Sequence, residues 1–537
     1  MLPLSDREKR FGLGILVAFL LCITLPYAWA WAITPVGFTW GGLLFSADDQ
    51  NVHLMWARQA QSGAFFLRDL FTTEGLVSGD RPLFFNLLPI LMGWLSRLTG
   101  LEVAFSYHAV RVAGAAWALW QLHLLSWSIT GGKPERENAR LLTLALAAFT
   151  TGAGFIALLL PSILSRYILF DRADNANWPL MPEAFFALSA LLYPLNIVSF
   201  GLLMLVARHI LDGKAWPAFL GALLLANIHT YDALPLIVIA ALWAAFNFKA
   251  DKPSMNRAFA ALAGAAIPVV YQVIVFRDSE EFRIKALTQT PPPHLVNTLL
   301  TFAPLLILAA WGWWALRDRP RERSFLVLWA VVTLALVYTP FELISFARKM
   351  IEAWQIPLLI LAGVGLGQLK RPVFAVAIVA VLAISPILTM GWILNNAAEN
   401  NQSRAVKFSM PVLYLYDSEV EALNFIAQDK SDGAVLCLPI TGAYVPRATL
   451  KSTYAGHWAE TLYIEKKFTL LGRYYSGQMT PDEARQWFTE NKIRWVFEGP
   501  YERSLAPQSA SAQLGLTPVF RAGAGANETV VYATGIG

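Results

Sequence analysis

The sequence predicts a polytopic α-helical membrane protein that carries a small α/β domain at its carboxyl end. Three observations lead there. Hydrophobic residues fill 56% of the 537 positions and charged residues only 15%, whereas a soluble domain holds about 25% charged residues. The apolar residues come in runs of about 20, the length a helix needs to cross a hydrocarbon core. Those runs stop near residue 395, and beyond it short apolar stretches alternate with amphipathic ones, the mark of a small α/β domain. Disordered, collagen-like and disulfide-stapled classes are excluded by the same composition. The 20 Trp and 33 Phe suit a chain with many interface anchors. Cys22 sits in an apolar run and Cys437 in a polar half, so they are not expected to pair. The net charge of +5 is scattered over short loops, which is a topology signal. No nucleic-acid partner is expected.

The first run, 12–33, follows Arg7, Lys9 and Arg10 and lacks an Ala-x-Ala site, so it reads as a retained span. Further runs are 83–99, 104–130, 139–160, 184–211, 215–231, 232–248, 256–276, 295–316, 324–340, 351–368 and 372–393. The run 83–99 is short and contains Asn86, Pro89 and Arg97. If it crosses, the larger share of loop Lys and Arg falls outside. If it lies in the interface, the larger share falls inside, as the positive-inside rule requires. This predicts eleven spans with the amino terminus in the cytoplasm. The membrane domain is then 1–398, its outer loop is 34–103, and the extracytoplasmic α/β domain is 399–537. Runs 215–231 and 232–248 are short for a full crossing. The basic stretch 317–323 falls on the inner side, against lipid headgroups.

Polar residues at membrane depth are costly and stand as functional hypotheses. Asp48 and Asp49 open an amphipathic helix just beyond the first span. Two readings are open for them: a helix cap, or a carboxylate pair that takes a proton from a sugar hydroxyl or holds a divalent metal. Glu74 is a further outward acid. His229, Tyr231 and Asp232 lie at an outer turn, either as a hydrogen-bonded turn or as lining of a substrate cavity. Arg348 and Lys349 open the tenth span on the outer side, where a guanidinium suits a phosphate and either cation suits interface anchoring. Tyr107 and Arg111 share one helix face and read mainly as a buried structural contact. The outer loop 277–294 reads as a solvated face or a lid.

In the tail, 416–430 reads as a helix capped by Asp417 or Ser418. Strands are expected at 434–438 and 493–497, helices at 460–475 and 481–490, and two more strands within 517–534. Thr480-Pro481-Asp482-Glu483 carries a cap, a Pro at the first position and first-turn acids, a complete helix start. His457 and Trp458, with Tyr501, either touch a glycan or belong to a packing cap on the membrane half. No Gly-rich phosphate loop, HExxH, GxSxG or CxxC motif supports nucleotide, zinc-protease or serine-hydrolase chemistry.

Several of these features together resemble the GT-C superfamily of integral-membrane glycosyltransferases. Dolichyl-phosphate-mannose-dependent mannosyltransferases and bacterial aminoarabinose transferases belong to that superfamily. The cues are Asp49 with Arg58-Gln59-Ala60 and Gly63, then Phe71-Thr72-Thr73-Glu74, and Arg348 with Pro357-Leu358 and Leu361-Ala362-Gly363. His53 stands where the family pattern has Tyr. The resemblance implies a GT-C-like membrane fold with interfacial helices after the first span. It also implies transfer of a sugar from a polyprenyl-phosphate donor to a glycan, lipid or protein acceptor, at the outer face of a bacterial inner membrane. Carried onto this chain, Asp49 is the catalytic base with Asp48 as the adjacent choice, and a basic residue, here Arg348, binds the phosphate. A second family acid falls in the next outer loop, where Asp171 and Asp174 stand. The competing expectations are a non-catalytic scaffold of the same architecture and a transporter. Against a transporter, no inverted repeat is visible.

Overall fold

The computed structural model describes residues 4–79, 81–153, 178, 181–340, 342–403, 412–506 and 508–536, with side chains not described at 400–403. Packing divides the chain into two compact units. The first comprises Met1–Pro26, His108–Ile274 and Gln289–Trp392; the second comprises Tyr27–Tyr107, Val275–Thr288 and Ile393–Gly537. This division differs from the expected boundary at 398. The outer loop after the first span packs with the tail domain, because its strand Phe38–Trp40 (β1) pairs antiparallel with Tyr414–Tyr416 (β2).

Among the described residues, seven helices are long and apolar enough to cross a membrane: Asp6–Ala32, Pro194–Asp212, Thr230–Asn247, Lys252–Asp278, Leu295–Ala315, Ala347–Leu366 and Pro372–Glu399. The chain is an integral membrane protein. The helices Leu87–Thr99 and Val103–Thr130 form one further candidate, bent by 119° at the break between them. Of the other predicted runs, 215–231 carries the shorter helix Ala215–Ile228. Run 324–340 carries the helix Pro320–Val337, which starts before the run with a charged first turn and ends three residues short of it. Run 139–160 opens as Glu137–Phe149 and then leaves the described residues. Run 184–211 breaks at Tyr193, where Pro194 starts a new helix, since Pro brings no N–H to continue the earlier one.

The 13-residue helix Leu87–Thr99 is the element expected to lie in the interface. At 1.5 Å per residue it spans roughly 20 Å, short of a core about 30 Å thick. Asn86 caps it by accepting from the Leu88 N–H (3.1 Å), and Gly100 ends it with φ +72°. Gly93 lies against the Ala57 carbonyl of the helix Ala47–Gln61, so that no side chain fits between the two helices.

The first unit is held by close backbone contact and by buried charge pairs. Gly312 faces the Leu361 carbonyl and Gly365 faces the Leu308 carbonyl. Small residues permit such approach where lipid gives no hydrophobic drive to bring helices together. Glu8 receives the Arg140 guanidinium through Nε (2.6 Å) and Nη2 (3.1 Å), with His123 at 3.4 Å. Both side chains of the Glu8–Arg140 pair are at most 3% exposed. Removing one member of such a pair strands the other charge. Arg140→Met is therefore expected to cost about 3–5 kcal/mol in unfolding measurements, and adding Glu8→Gln is expected to recover part of it. A double variant no more stable than the single would rule out the stranded charge as the cause. Arg111 is likewise structural: its Nη1 donates to the carbonyls of Ile23 (3.0 Å) and Ala190 (2.8 Å).

In the second unit the tail forms a five-stranded mixed sheet. Its strands are Ala434–Leu436 (β3), Ser452–Thr453 (β4), Ile493–Glu498 (β5), Thr517–Ala522 (β6) and Thr529–Ala533 (β7), in the order β4-β3-β5-β7-β6. β3 runs parallel to β4 and β5, and β7 antiparallel to β5 and β6. The small α/β domain is as expected, and the helix Pro481–Glu490 starts with the full Thr480–Glu483 capping box. The expected caps Asp417 and Ser418 are corrected. The helix Asp417–Gln428 already includes both, and Glu419 reaches back to accept from the Tyr416 N–H (2.9 Å).

Candidate functional site

The helix Ala47–Gln61 begins after Ser46, a left-handed residue (φ +48°) whose side chain makes no capping bond. Asp48 and Asp49 therefore lie inside the first turn, where the partial positive charge of the helix start favours carboxylates. The capping reading is replaced by this placement. A residue outside the sequence expectations, Arg447, braces the turn by donating to Asn51 Oδ1 and to the Gly41 carbonyl, both at 2.9 Å.

The partner of Asp49 comes from 408 residues along the chain. His457 Nε2 lies 3.1 Å from Asp49 Oδ1. The His457 side chain is 2% exposed whereas that of Asp49 is 42% exposed, so the carboxylate is reachable and its partner is not. The turn that carries His457 is tied down. Thr461 Oγ1 accepts from the Gly456 and His457 N–H groups (3.0 and 3.1 Å) and donates to the Phe71 carbonyl (2.9 Å). Trp458 stacks on His457 with ring centroids 5.8 Å apart and is half exposed. Burial, and then the charge of Asp49, hold the Asp48 carboxyl above its ordinary range, with His457 pulling the other way.

The same unit carries further ionised residues, some buried and some part-exposed. Glu74 receives Lys467 Nζ (2.8 Å), which also donates to Thr72 Oγ1 (3.0 Å). The expected substrate ligand Glu74 is thus one half of an ion pair. Lys285 pairs with Glu460. Burial raises the Glu460 carboxyl, but Lys285 and His457 prevail and hold it below its ordinary value. Asp69 is 5% exposed and pushed well above its ordinary value by burial and by Glu460. A cavity in the same unit is lined by Arg68, Asp69, Arg81, Glu281 and Lys451; its lining does not include Asp48, Asp49 or His457.

The first unit holds the other group of expected residues. His229 Nδ1 lies 3.1 Å from Asp232 Oδ2 and 3.4 Å from Glu352 Oε2. Tyr231 packs edge-on to His229 and against Phe346. Arg348 Nε stands 3.5 Å from Glu183 Oε1, and Lys349 Nζ 3.9 Å from the same oxygen. Glu183 and Glu352 were not expected. Glu352 had a legible signal, an acid inside an apolar run; Glu183 sits at the edge of one. Asp174 lies outside the described residues, as does Asp171.

Among the described residues, two groups bring ligand atoms within 4.8 Å of one another: Asp48, Asp49 and His457, and His229, Asp232 and Glu352. They differ in fitness for a divalent cation. In the first, His457 Nδ1 accepts from the Ala459 and Glu460 N–H groups, each at 3.1 Å. Nε2 then keeps the ring proton, and only the two carboxylates are left to bind metal. In the second, Asp232 Oδ1 and both Glu352 oxygens accept no hydrogen bond from a described donor. Both of those residues are buried from solvent, which is the condition a buried cation relieves.

No family model matches the chain, and no curated protein matches its sequence. Solved structures do. ArnT from Cupriavidus metallidurans bound to undecaprenyl phosphate is similar over 97% of this chain and 98% of its own, with TM-score 0.53 and 13% identity. The oligosaccharyltransferase AglB from Archaeoglobus fulgidus, in complex with an inhibitory peptide and a dolichol-phosphate, is similar over 99% of this chain and 75% of its own (TM-score 0.52, 12% identity). The arabinofuranosyltransferase AftD from Mycobacteria is similar over 99% of this chain and 40% of its own (TM-score 0.54, 13% identity). The chain has the GT-C fold that its motifs implied.

Proposed function

We propose that this chain transfers a sugar from a polyprenyl-phosphate donor to an acceptor hydroxyl at the outer face of a bacterial cytoplasmic membrane. Fold alone does not assign chemistry, so the reading rests on a site. The observation that carries it is Asp49: a half-exposed carboxylate at a helix start, held from behind by a buried imidazole.

Asp49 takes the proton from the acceptor hydroxyl as its oxygen bonds to the anomeric carbon. The bond from that carbon to the phosphate oxygen breaks, and polyprenyl phosphate leaves with the electron pair. Arg348 and Lys349 are the cations assigned to the phosphate; both face Glu183. A divalent cation, were one bound in the first unit, would be held by His229, Asp232 and Glu352 and would supply positive charge there. Trp458 offers a half-exposed ring of the kind that packs on a sugar face.

The scaffold reading has one observation in its favour, the pairing of Arg348 with Glu183. Incubating the full chain in nanodiscs with a panel of radiolabelled polyprenyl-phosphate sugars separates the two. The transferase reading expects label to leave the lipid, either onto an added acceptor or, slowly, onto water. Intact donors across the panel, together with no measurable binding of undecaprenyl phosphate, would favour the scaffold.

A further inference from the structure

We infer that His457 is a positioning residue that holds Asp49 through its Nε2–H, and that it is not a ligand to any metal bound beside the two aspartates. The role in transfer rests on the reading of Asp49 as the base; the hydrogen-bond assignment does not. Five contacts fix the ring. Nδ1 faces two backbone N–H groups, from Ala459 and Glu460, each at 3.1 Å. Nε2 faces Asp49 Oδ1 at 3.1 Å. The Phe71 and Trp458 rings lie against it at centroid distances of 5.9 and 5.8 Å. Turning the ring over would set carbon against both N–H donors and against the carboxylate, so the orientation is determined by its neighbours.

The proton follows from the same geometry. An N–H donor needs a lone pair, and Nδ1 meets two such donors. The neutral ring therefore carries its hydrogen on Nε2. In the imidazolium both nitrogens carry one, so Nε2 donates to Asp49 in either charge state. A histidine that binds metal through Nε2 needs its hydrogen on Nδ1, where here it would point at two other hydrogens. The charged groups facing the ring are Asp49 and Asp48 from the helix Ala47–Gln61 and Glu460 from its own turn. Burial pushes its pKa down, but those carboxylates prevail and set it above the ordinary histidine value. An added proton would enter on Nδ1, where it would face those two N–H groups.

Two substitutions separate positioning from turn-building. Asparagine places its oxygen where Nδ1 stands and can accept the two turn N–H groups, as Asx-turns do, but it cannot reach Asp49. Glutamine places an N–H donor near the position of Nε2 and loses the turn acceptor. The expected result is that His457→Asn lowers kcat about 10- to 100-fold with KM little changed, while His457→Gln keeps most of kcat. The reverse order would overturn the positioning role.

Two direct readouts stand whether or not transfer is observed. In the full chain labelled with 15N-histidine, the signals lost in His457→Gln should show Nε2 protonated and Nδ1 as the lone-pair nitrogen. A lone-pair Nε2 overturns the inference. With Mn2+ added, pulsed EPR should show no directly bound nitrogen that disappears in His457→Gln; such a nitrogen overturns it as well. If Asp49→Asn leaves transfer unchanged while Nε2 is protonated, the base assignment fails and the hydrogen-bond assignment survives.

Discussion

Asp49→Asn is expected to lower sugar transfer about 10²- to 10⁴-fold, the range that a positioned general base contributes, while donor binding stays close to wild type. The amide has the size of the carboxylate and its oxygen can still accept from His457 Nε2, so the turn and the helix start should survive. It cannot take up the acceptor's proton. Asp48→Asn supplies the contrast. Asp48 is held protonated to higher pH by burial and by Asp49's charge, and no histidine donor is directed at it among the described residues. Its loss should reduce transfer far less. Rates measured with one donor and one acceptor, at saturating and limiting donor, decide between them. Full activity in Asp49→Asn with none in Asp48→Asn would move the base by one residue; full activity in both would leave the proposal without a base.

The second large effect is a loss of tail-domain stability as pH rises. Glu419 and Glu502 are buried together, at 1% exposure each. Burial, joined by the charge of Glu502, pushes Glu419 up to about 8. Burial likewise pushes Glu502 up to about 7, against the Leu438 and Gly499 N–H groups that favour its charged form. The ordinary glutamate value is 4.5. Between about 4.5 and 7 the folded domain thus holds two protons that the unfolded chain has released, and between about 7 and 8 it holds one.

Stability rises with pH only where the unfolded state holds more protons. Here the folded state holds more, so stability falls across this window, by up to about 1.4 kcal/mol per pH unit for each extra proton. It is fully present below about pH 4.5. At the acid end Glu483, which Thr480 and Arg473 hold down at about 2, acts in the opposite sense, so the optimum should lie in weak acid. Thermal unfolding of the full chain from pH 4.5 to 8.5, followed by near-ultraviolet circular dichroism, checks the sign. Glu419→Gln, which cannot ionise, should flatten the slope by about one proton. A wild-type midpoint that rises over this range, or a slope unchanged in the variant, would contradict the assignment.

Much of the architecture was legible in the residues alone, because it is set by neighbours within a few positions. Apolar runs marked the long helices. Asn86, Pro89 and Arg97 marked the short helix Leu87–Thr99, and Thr480-Pro481-Asp482-Glu483 marked a helix start that the structure reproduces. Loop acids after the first span, with the Phe-Thr-Thr-Glu and Arg348 motifs, implied the GT-C fold that the solved structures share. Local rules failed first at the caps. Ser46 rather than an aspartate stands at the start of the helix Ala47–Gln61, and Tyr416 rather than Asp417 at the start of the next. A one-residue difference there depends on how the incoming chain is held, by Arg447 in one case and by the β1–β2 pairing in the other.

The sequence by itself determined which segments are apolar, where helices can begin, and which ionisable residues lie at membrane depth. Those properties follow from hydrophobic periodicity and from hydrogen bonds that close within one turn. Tertiary structure alone decided that Asp49 meets His457, that Glu74 is bound by Lys467, that Glu183 and Glu352 join Arg348 and His229, and that the first outer loop packs with the tail. Each of these is a contact between residues far apart in the chain. A buried charge requires a partner, but nothing local says which of the distant candidates packing will bring within 4 Å.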